Sequence, residues 1–376
     1  MINIPMNDLS RFALQHSSAL QNTFQEFVNS GVYVLGENVA SFEEEWASFQ
    51  NAKYAVGVSN GTDGLTLALL RAKLLNPDRT KVAIAANAGG YSLTAALRAG
   101  LEPIFIDIDE DGLMNLGQLD RETLESLTAI VFTHLYGVIG HLGELVSAIN
   151  ELTTPPLVIE DASQAHGVAP CGAFAGQHGD LAVFSLYPTK NLGALGDAGI
   201  ITTNSADTFE WLRRARNYGW YVKYHFSSEP TMNARLDELQ ARFLRVFLPY
   251  LHERNDRRRM IAASYDAALT HGGEVRPAIR DASRSLYHLY PILCPSASSR
   301  HNVMETLRAK GVASDIHFPL PDFRQSLGET RWHPPDGTDN PKAEEWCNRV
   351  LSIPLFPEMN SVEVDQVCNC LSEVQF

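Results

Sequence analysis

The chain has 376 residues, which is enough for two or three domains, and 45% of them are hydrophobic, as in an ordinary globular protein. It carries 30 Lys and Arg against 44 Asp and Glu, a formal net charge of −14. This excess of negative charge argues against a general nucleic-acid-binding surface, which needs a basic footprint, but it permits a local pocket for one phosphate.

The first residues and the cysteines indicate a cytoplasmic protein. The segment MINIPMNDLSRFALQH lacks the charged-then-apolar pattern of a secretory signal. No apolar run approaches the roughly 18–20 residues of a membrane span. The chain has 5 irregularly spaced cysteines, which predict neither a disulfide framework nor a metal site.

Short apolar runs alternate with helical patterns in the first half of the chain. Seven runs have strand character: Tyr54–Val58, Val82–Ala86, Pro103–Ile108, Ala129–Thr133, Leu157–Glu160, Ala182–Ser185 and Gly199–Thr202. Helical patterns lie between several of them: Thr62–Leu74, Ser92–Ala99, Asp120–Leu127 and Leu142–Leu152. Because buried parallel strands read as continuous apolar runs, this alternation predicts an α/β fold. Its mostly parallel seven-stranded sheet would be flanked by helices.

The strand signal weakens beyond Thr202. Four helical patterns and one strand follow: Asp207–Arg216, Leu236–Leu269 with a break near Pro249, Ser285–Pro295 as the strand, His301–Lys310 and Asn340–Leu351. The aromatic-rich segment Asn217–Thr231 is predicted to be irregular. We therefore predict a large domain over residues 1–251 and a smaller C-terminal α+β domain over residues 252–376.

Ligands of an open α/β sheet bind at the carboxyl ends of its strands, so the loops after the predicted strands are candidate sites. The first such loop is Ser59-Asn60-Gly61-Thr62-Asp63. Gly61 allows a tight turn, and the Thr62 hydroxyl with the first N–H groups of a helix can hold an anion. The alternative is an ordinary helix N-cap without a ligand.

The second loop follows the strand Leu157–Glu160 and contains Asp161, Gln164 and His166. A carboxylate at a strand end is well placed to pair with the cationic ring nitrogen of a cofactor. The alternative for Asp161 is the cap of a turn, and His166 is more typical of a satisfied structural histidine than of a catalyst.

The third loop runs from Ser185 to a single lysine, Lys190. A partly buried lysine has a lowered pKa and becomes a nucleophile for an aldehyde; the alternative is a solvated loop lysine. The glycines from Gly193 to Gly199 lack the spacing and helix context of a dinucleotide-binding loop.

Taken together, the three loops supply what pyridoxal phosphate (PLP) needs. Its aldehyde requires a lysine, its ring nitrogen a carboxylate, and its phosphate hydroxyls and N–H groups. The sequence therefore predicts PLP as the cofactor.

At this point the sequence resembles the DegT/DnrJ/EryC1/StrS family of sugar aminotransferases, which have PLP fold type I. The resemblance covers nearly the whole chain and depends on the order and separation of several segments. These are Gly31–Gly36, Phe42–Glu44, Ser59–Asp63, Glu160–Gly167, Phe184–Lys190, Asn233–Gln240, His317–Pro319 and Leu351–Pro357.

The resemblance implies roles for individual residues around the cofactor. Lys190 would bind its aldehyde covalently, Asp161 would pair with the pyridine nitrogen, and Gln164 would lie near the ring hydroxyl. Thr62, the backbone of Gly61 and Asp63, and the Ser185 hydroxyl would hold the phosphate.

It also implies roles at the edges of the site. Asn233 would reach the phosphate bound by a neighbouring subunit, which implies a homodimer with shared active sites. The alternative, and compatible, role of Asn233 is a helix N-cap. His317 and Tyr187 would line the sugar end of the site.

Two segments depart from the family pattern. The family has an aromatic residue in a Thr-Phe-x-Ala-Thr-like segment that stacks on the pyridine ring. Here the segment is Ala86-Asn-Ala-Gly-Gly-Tyr-Ser-Leu-Thr94, in which Tyr91 is the only aromatic residue. Either this loop is reshaped and Tyr91 stacks on the cofactor ring, or another group does. Pro321-Asp322-Phe323 stands where the family often has Pro-Leu-His. Both departures bear on the sugar specificity rather than on the cofactor.

The resemblance implies an aminotransferase that moves an amino group, from glutamate by analogy, to a nucleotide-linked keto sugar. Three alternatives stay open. The chain could be another fold-type-I enzyme acting on a non-sugar ketone, a PLP-binding regulator without turnover, or a nucleotide-binding protein without PLP.

Overall fold

A computed structural model of the chain describes residues 3–227, 229, 231–269, 274–326 and 340–374. Its centre is a seven-stranded sheet. The strands are β1 (Tyr54–Val58), β2 (Lys81–Ala85), β3 (Glu102–Ile106), β4 (Leu127–Thr133), β5 (Leu157–Asp161), β6 (Leu181–Ser185) and β7 (Gly199–Thr203). Each lies within two residues of its predicted bounds.

The strands are arranged in the order β1-β7-β6-β5-β4-β2-β3. Only β7 runs antiparallel to its neighbours, β1 and β6, and the remaining pairs are parallel. The predicted α/β fold with a mostly parallel sheet is confirmed. Nearly every strand residue is buried, because helices cover the sheet on both faces.

Helices connect and flank the strands. In the first part of the chain they are α1 (Leu9–Gln15), α2 (Ser17–Ser30), α3 (Glu37–Phe49), α4 (Gly61–Leu75), α5 (Tyr91–Arg98), α6 (Arg121–Ser126), α7 (Gly143–Ile149) and α8 (Ala206–Ala215). Helix α4 follows β1 directly and packs against β6, so its N-terminus meets the carboxyl end of that strand. The sheet thereby brings two of the predicted loops together.

The C-terminal part forms a second, smaller sheet with helices. Its elements are α9 (Glu238–Phe247), α10 (Leu251–Leu269), β8 (Arg276–Pro277), β9 (Tyr290–Leu293), α11 (Ala297–Ala309), α12 (Pro341–Arg349), β10 (Val350–Ile353) and α13 (Ser361–Glu373). The strands pair antiparallel in the order β10-β9-β8. The predicted α+β character is confirmed, as is the helix break near Pro249, where proline prevents continuous helical bonding.

Two predicted elements in this part differ from the structure. The predicted strand Ser285–Pro295 pairs only over Tyr290–Leu293. The predicted helix Asn340–Leu351 ends at Arg349, because the fully buried run Val350–Ile353 enters the small sheet as β10. A short apolar run after a helix is ambiguous in sequence, and pairing with β9 decides its conformation.

The first residues of the chain pack on this C-terminal part. The Ile4 N–H donates to Gly311 O at 2.8 Å, and the Ala313 N–H donates to Ile4 O at 2.9 Å. The division into domains 1–251 and 252–376 stays a prediction. In the described ranges, no helix combines the length and the apolar character needed to cross a membrane.

Candidate active site

A cavity of about 730 Å³ opens at the carboxyl ends of β4, β5 and β6, beside the N-terminus of α4. The parallel register of these strands delivers their terminal loops to one edge of the sheet. Every predicted site residue except Asn233 lines this cavity: Gly61, Thr62, Asp63, Tyr91, Asp161, Gln164, Ser185, Tyr187, Lys190 and His317.

The N-terminus of α4 and the end of β6 form the side of the cavity that is suited to an anion. A Cβ atom on Gly61 would lie 2.9 Å from the Ser185 Cβ and 3.2 Å from the Ser163 Oγ, so only glycine permits this approach. The first i→i−4 bond of the helix is donated by Gly64, at 3.1 Å to Asn60 O. The N–H groups of Gly61 and Thr62 precede it and remain for a ligand, next to the Ser185 hydroxyl.

Asp63 is engaged within its own loop. Its N–H donates to the Asn60 Oδ1 at 2.8 Å, and its carboxylate accepts from Asn60 Nδ2 at 3.0 Å and from Arg98 Nη1 at 3.0 Å. Asn60, rather than Thr62 or Asp63, caps the helix and fixes the turn. The ligand-facing role is left to Gly61 and Thr62.

Asp161 ends β5 and lies between the end of β4 and the loop that follows β5. Its Oδ1 accepts a hydrogen bond from the Ser163 N–H at 3.1 Å, and its Oδ2 accepts from the Thr133 Oγ1 at 3.4 Å. The residue is 4% exposed, so its carboxylate is held in one orientation at the cavity wall. A buried carboxylate needs a cationic partner, and a protonated ring nitrogen supplies one.

Gln164 is connected to His317 through Tyr136. The Gln164 Oε1 accepts from the Tyr136 N–H at 2.6 Å, and the Tyr136 hydroxyl donates to His317 O. This chain of hydrogen bonds fixes His317 relative to the loop after β5. Burial lowers the pKa of His317, and the Asp315 carboxylate opposes that effect.

Lys190 lies at the base of the cavity, in a turn closed by its N–H bond to Tyr187 O at 2.9 Å. Burial lowers the pKa of Lys190 to about 8, while the negative charge of Asp161 opposes the decrease. A lysine with this pKa is substantially neutral near pH 8, which makes its amine a nucleophile.

His166 is structural, in agreement with the alternative stated for it. Its Nε2 lies 2.6 Å from Ser185 O, and the ring is fully buried. Burial lowers the pKa of His166 to about 3, so the ring is neutral and supports the end of β6.

The two segments that depart from the family pattern contact each other. The Asp322 N–H donates to Ala86 O at 2.7 Å, and the Asp322 Oδ1 accepts from the Gly89 N–H at 2.8 Å. Asp322 is fully buried, and burial raises its pKa to about 7. Asp322 therefore binds the backbone of the glycine-containing loop, and both of these segments depart from the family pattern.

An aromatic ring occupies the space above that loop. Gly89 has φ +81°, and a Cβ there would lie 2.8 Å from the ring of Phe318. Phe318 and Tyr91 both line the cavity, with ring centroids 6.1 Å apart. Tyr91 is 54% exposed, and its predicted cofactor contact stays a prediction.

Asn233 is exposed and lies outside this cavity. It pairs with Asn217 in an isolated antiparallel bridge. Since α9 begins at Glu238 with Asp237 as its N-cap residue, Asn233 is not the helix cap that the alternative role required.

Sequence reasoning missed several cavity residues. The most polar of them are Arg98, Ser163, Asp197 and His288. His288 lay inside a predicted strand and therefore read as part of the core. Its link to Lys190 passes through Asn191, 97 positions away in the sequence, which no local pattern reveals.

The donor set fits PLP. A lysine of lowered pKa, an oriented carboxylate and a helix N-terminus with two nearby hydroxyls share one cavity, as the cofactor's three functional groups require. The fold and site thus define a PLP-dependent enzyme.

The chain belongs to the DegT/DnrJ/EryC1/StrS aminotransferase family, whose model matches residues 15–372. A dTDP-3-amino-3,6-dideoxy-alpha-D-galactopyranose transaminase of Aneurinibacillus thermoaerophilus is 34% identical, with 98% of this chain and 99% of that protein covered. A protein of Geobacillus stearothermophilus named "Pleiotropic regulatory protein" is 33% identical, with 99% and 98% covered. The crystal structure of S. venezuelae DesV in complex with ketimine intermediate superposes with a TM-score of 0.90 at 28% identity, covering 99% of this chain and 98% of that one.

Proposed function

We propose that this aminotransferase moves an amino group from glutamate to a nucleotide-linked keto sugar. The observation that carries the proposal is the common cavity of Lys190 and Asp161, at the strand ends where the sheet delivers both. The 34% identical relative from Aneurinibacillus thermoaerophilus, which is named as a dTDP-sugar transaminase, supports the class of acceptor.

Bound PLP supplies an aldehyde that accepts the amino group and a ring that takes up electrons from the donor carbon. Asp161 keeps the ring nitrogen protonated, which strengthens that electron uptake. With the cofactor bound, Lys190 Nζ would take up the proton of the donor α-carbon as a general base and would return it as a general acid.

The residues around this pair hold the ligands. Gly61, Thr62 and Ser185 bind the phosphate through N–H and hydroxyl groups, which explains how a chain of net charge −14 binds an anion. Gln164 would lie by the ring hydroxyl, while Tyr187 and His317 would line the sugar end of the cavity. The roughly 730 Å³ of the cavity accommodate cofactor and substrate together.

We further propose a cytoplasmic homodimer with shared active sites. Asn233 is exposed and lies away from the cavity of its own subunit, which supports a role in the cavity of a partner. The resemblance of the sequence to the DegT/DnrJ/EryC1/StrS family implies the same role for Asn233.

The decisive variant is Lys190→Ala. It is expected to abolish transamination and the visible absorption that PLP acquires when it binds a lysine, because no other amine replaces Nζ. Lys53→Ala removes an exposed lysine and is the matched control, with wild-type spectrum and turnover expected. A Lys190→Ala protein that keeps both signals would overturn the assignment.

A regulatory role is the second candidate function, and the name of the Geobacillus stearothermophilus relative favours it. The two functions differ when glutamate is added to the purified yellow protein. Bleaching shows that the donor half-reaction proceeds and supports the enzyme. Colour that persists with every amino donor supports the regulator. A panel of keto sugar nucleotides then identifies the acceptor.

A further inference from the structure

A buried polar network beside Lys190 ends at His288. Asn191, the residue after the lysine, donates from Nδ2 to Leu286 O at 3.0 Å and to Asn255 Oδ1 at 2.9 Å. Asn255 in turn donates from Nδ2 to His166 O at 2.8 Å. Asn191, Asn255 and His166 are each at most 2% exposed.

The two backbone carbonyls fix the orientation of both amides, because a carbonyl oxygen only accepts. Asn255 must present Nδ2 to His166 O, and Asn191 must present Nδ2 to Leu286 O. The Asn191 Oδ1 therefore faces the His288 Nδ1, 3.2 Å away. Since this oxygen accepts, His288 must carry its proton on Nδ1 and keep a lone pair on Nε2.

His288 is held in the neutral form. Burial is the largest cause that lowers its pKa well below the usual value, followed by the charge of Lys190 and then by that of Arg258. Arg258 donates to His288 O at 3.2 Å, yet Lys190 has the larger effect. Geometry places the lysine beside this ring as well, because Asn191, the residue that follows Lys190, contacts the His288 Nδ1 at 3.2 Å.

Both side chains line the same cavity. The His288 Nε2 and the Lys190 Nζ have no hydrogen-bond partner among the described residues, whereas the side-chain amides of Asn191 and Asn255 are both engaged. The His288 Nε2 is an acceptor in a fixed position, and the Lys190 Nζ is a donor that must move during the reaction.

We propose that His288 is a positioning residue for Lys190: its Nε2 accepts a hydrogen bond from the Lys190 amine whenever that amine is free of the cofactor. The proposal rests on the proposed function, in which Lys190 carries the proton. Nε2 then holds the amine by the donor α-carbon during proton transfer. The Nδ1 bond to Asn191 keeps the acceptor aimed at the cavity.

Other charged and titratable groups near Lys190 come from several elements. Asp161 ends β5, His166 follows it, Arg258 belongs to α10 and His317 lies on the outer wall. None of them changes in a His288 substitution, so a change in the lysine pKa reports the Nε2 contact.

The test uses two amides that each replace one ring nitrogen. The amide of His288→Asn lies near the position of Nδ1, which keeps the bond to Asn191 and removes the acceptor at Nε2. His288→Gln extends its amide to the position of Nε2 and keeps that acceptor. The exposed His301, changed to Asn in the same way, is the control.

The first readout is the pKa of Lys190 in the full-length protein stripped of PLP, measured by the pH dependence of its labelling with an amine-reactive reagent. A hydrogen bond to the ammonium stabilises the charged form and raises its pKa. We expect His288→Asn to lower that pKa by about 1–2 pH units, while His288→Gln stays close to wild type. Equal values for Asn and Gln would overturn the proposal.

The second readout is the rate of bleaching by glutamate in the PLP-loaded protein. His288→Asn is expected to slow this proton transfer at least tenfold with little change in the glutamate KM, and His288→Gln to restore most of the rate. If His288→Asn and His288→Gln give the same pKa for Lys190, the role of His288 is refuted and the proposed function is not. If glutamate does not bleach the wild-type protein, the proposed function is refuted, whereas the measured pKa of Lys190 still decides the role of His288.

Discussion

The position of Lys190 in the fold sets its pKa. Burial lowers its pKa to about 8, and Asp161 limits the decrease. A larger decrease would leave too little ammonium to act as an acid, and no decrease would leave too little amine to act as a base. A pKa near the operating pH serves both steps of a proton transfer.

Asp322 is the second residue whose charge state the fold controls. Its Oδ1 accepts from Gly89, whereas its Oδ2 is buried with no partner among the described side chains and backbone groups. Burial raises its pKa to about 7, against 3.8 in an unfolded chain. The folded protein therefore keeps this proton over a pH range in which the unfolded chain has released it.

This difference predicts a pH-dependent stability. The unfolded state binds fewer protons at Asp322 between about pH 4 and pH 7, so stability falls as pH rises through that window and then levels off. Asp322→Asn keeps the acceptor for Gly89 and cannot ionise. The free energy of unfolding of this variant, relative to that of wild type, is expected to increase by about 2–3 kcal/mol between pH 5 and pH 8.

Urea unfolding at both pH values measures the effect. The exposed Asp78, changed to Asn, is the control and is expected to give no pH-dependent difference. An Asp322→Asn protein whose stability follows the pH dependence of wild type would show that the carboxyl is ionised in the fold.

Residues near one another in sequence were predictable, and residues joined across the fold were not. Asp161 ends one apolar strand and Lys190 lies in the loop after the next, so the alternation of elements indicates where they lie. Asp322 and His288 act on residues more than ninety positions away, through Gly89 and Asn191. Those contacts depend on how the C-terminal part packs on the sheet.

The same contrast holds for elements. The buried strands were predictable because each is an apolar run. Helices α1 and α2 have no fully buried residue, so they lack the broad apolar face that identifies a helix in sequence. The predicted helix Asn340–Leu351 takes in Val350 and Leu351, the first half of β10, because only the pairing with β9 distinguishes the two conformations.

The junction of α4 with β6 is the element-scale feature on which the proposed phosphate binding depends. Gly61→Ala places a Cβ atom 2.9 Å from the Ser185 Cβ, so the helix N-terminus must shift away from the strand end. Such a shift costs about 1–3 kcal/mol, which predicts roughly 10- to 100-fold weaker PLP binding.

Gly143→Ala is the matched control, because Gly143 also begins a helix and a Cβ there meets nothing within 4 Å. Titration of each PLP-free variant with the cofactor gives the affinities. Equal affinities for the two variants would contradict the role assigned to Gly61.

At the scale of the whole molecule, the question is whether each active site is built from one subunit or from two. Variants of Asn233 distinguish these arrangements. If Asn233 serves only its own subunit, Asn233→Ala and Lys190→Ala each inactivate that subunit, and mixing them restores nothing. If Asn233 completes the partner's site, a hybrid dimer has one site without both groups and one intact site. The intact site joins Lys190 of one subunit to Asn233 of the other.

Equal amounts of the two inactive variants, dissociated and reassociated, give half hybrid dimers by random pairing. One site in each hybrid is intact, so the mixture is expected to recover about a quarter of wild-type transamination. Lys190→Ala mixed with Ser185→Ala is the control, because both changes lie on the same side of the site and no fully intact site forms. Recovery in the first mixture but not in the second supports the shared site; no recovery in either mixture would mean that Asn233 does not reach across the interface.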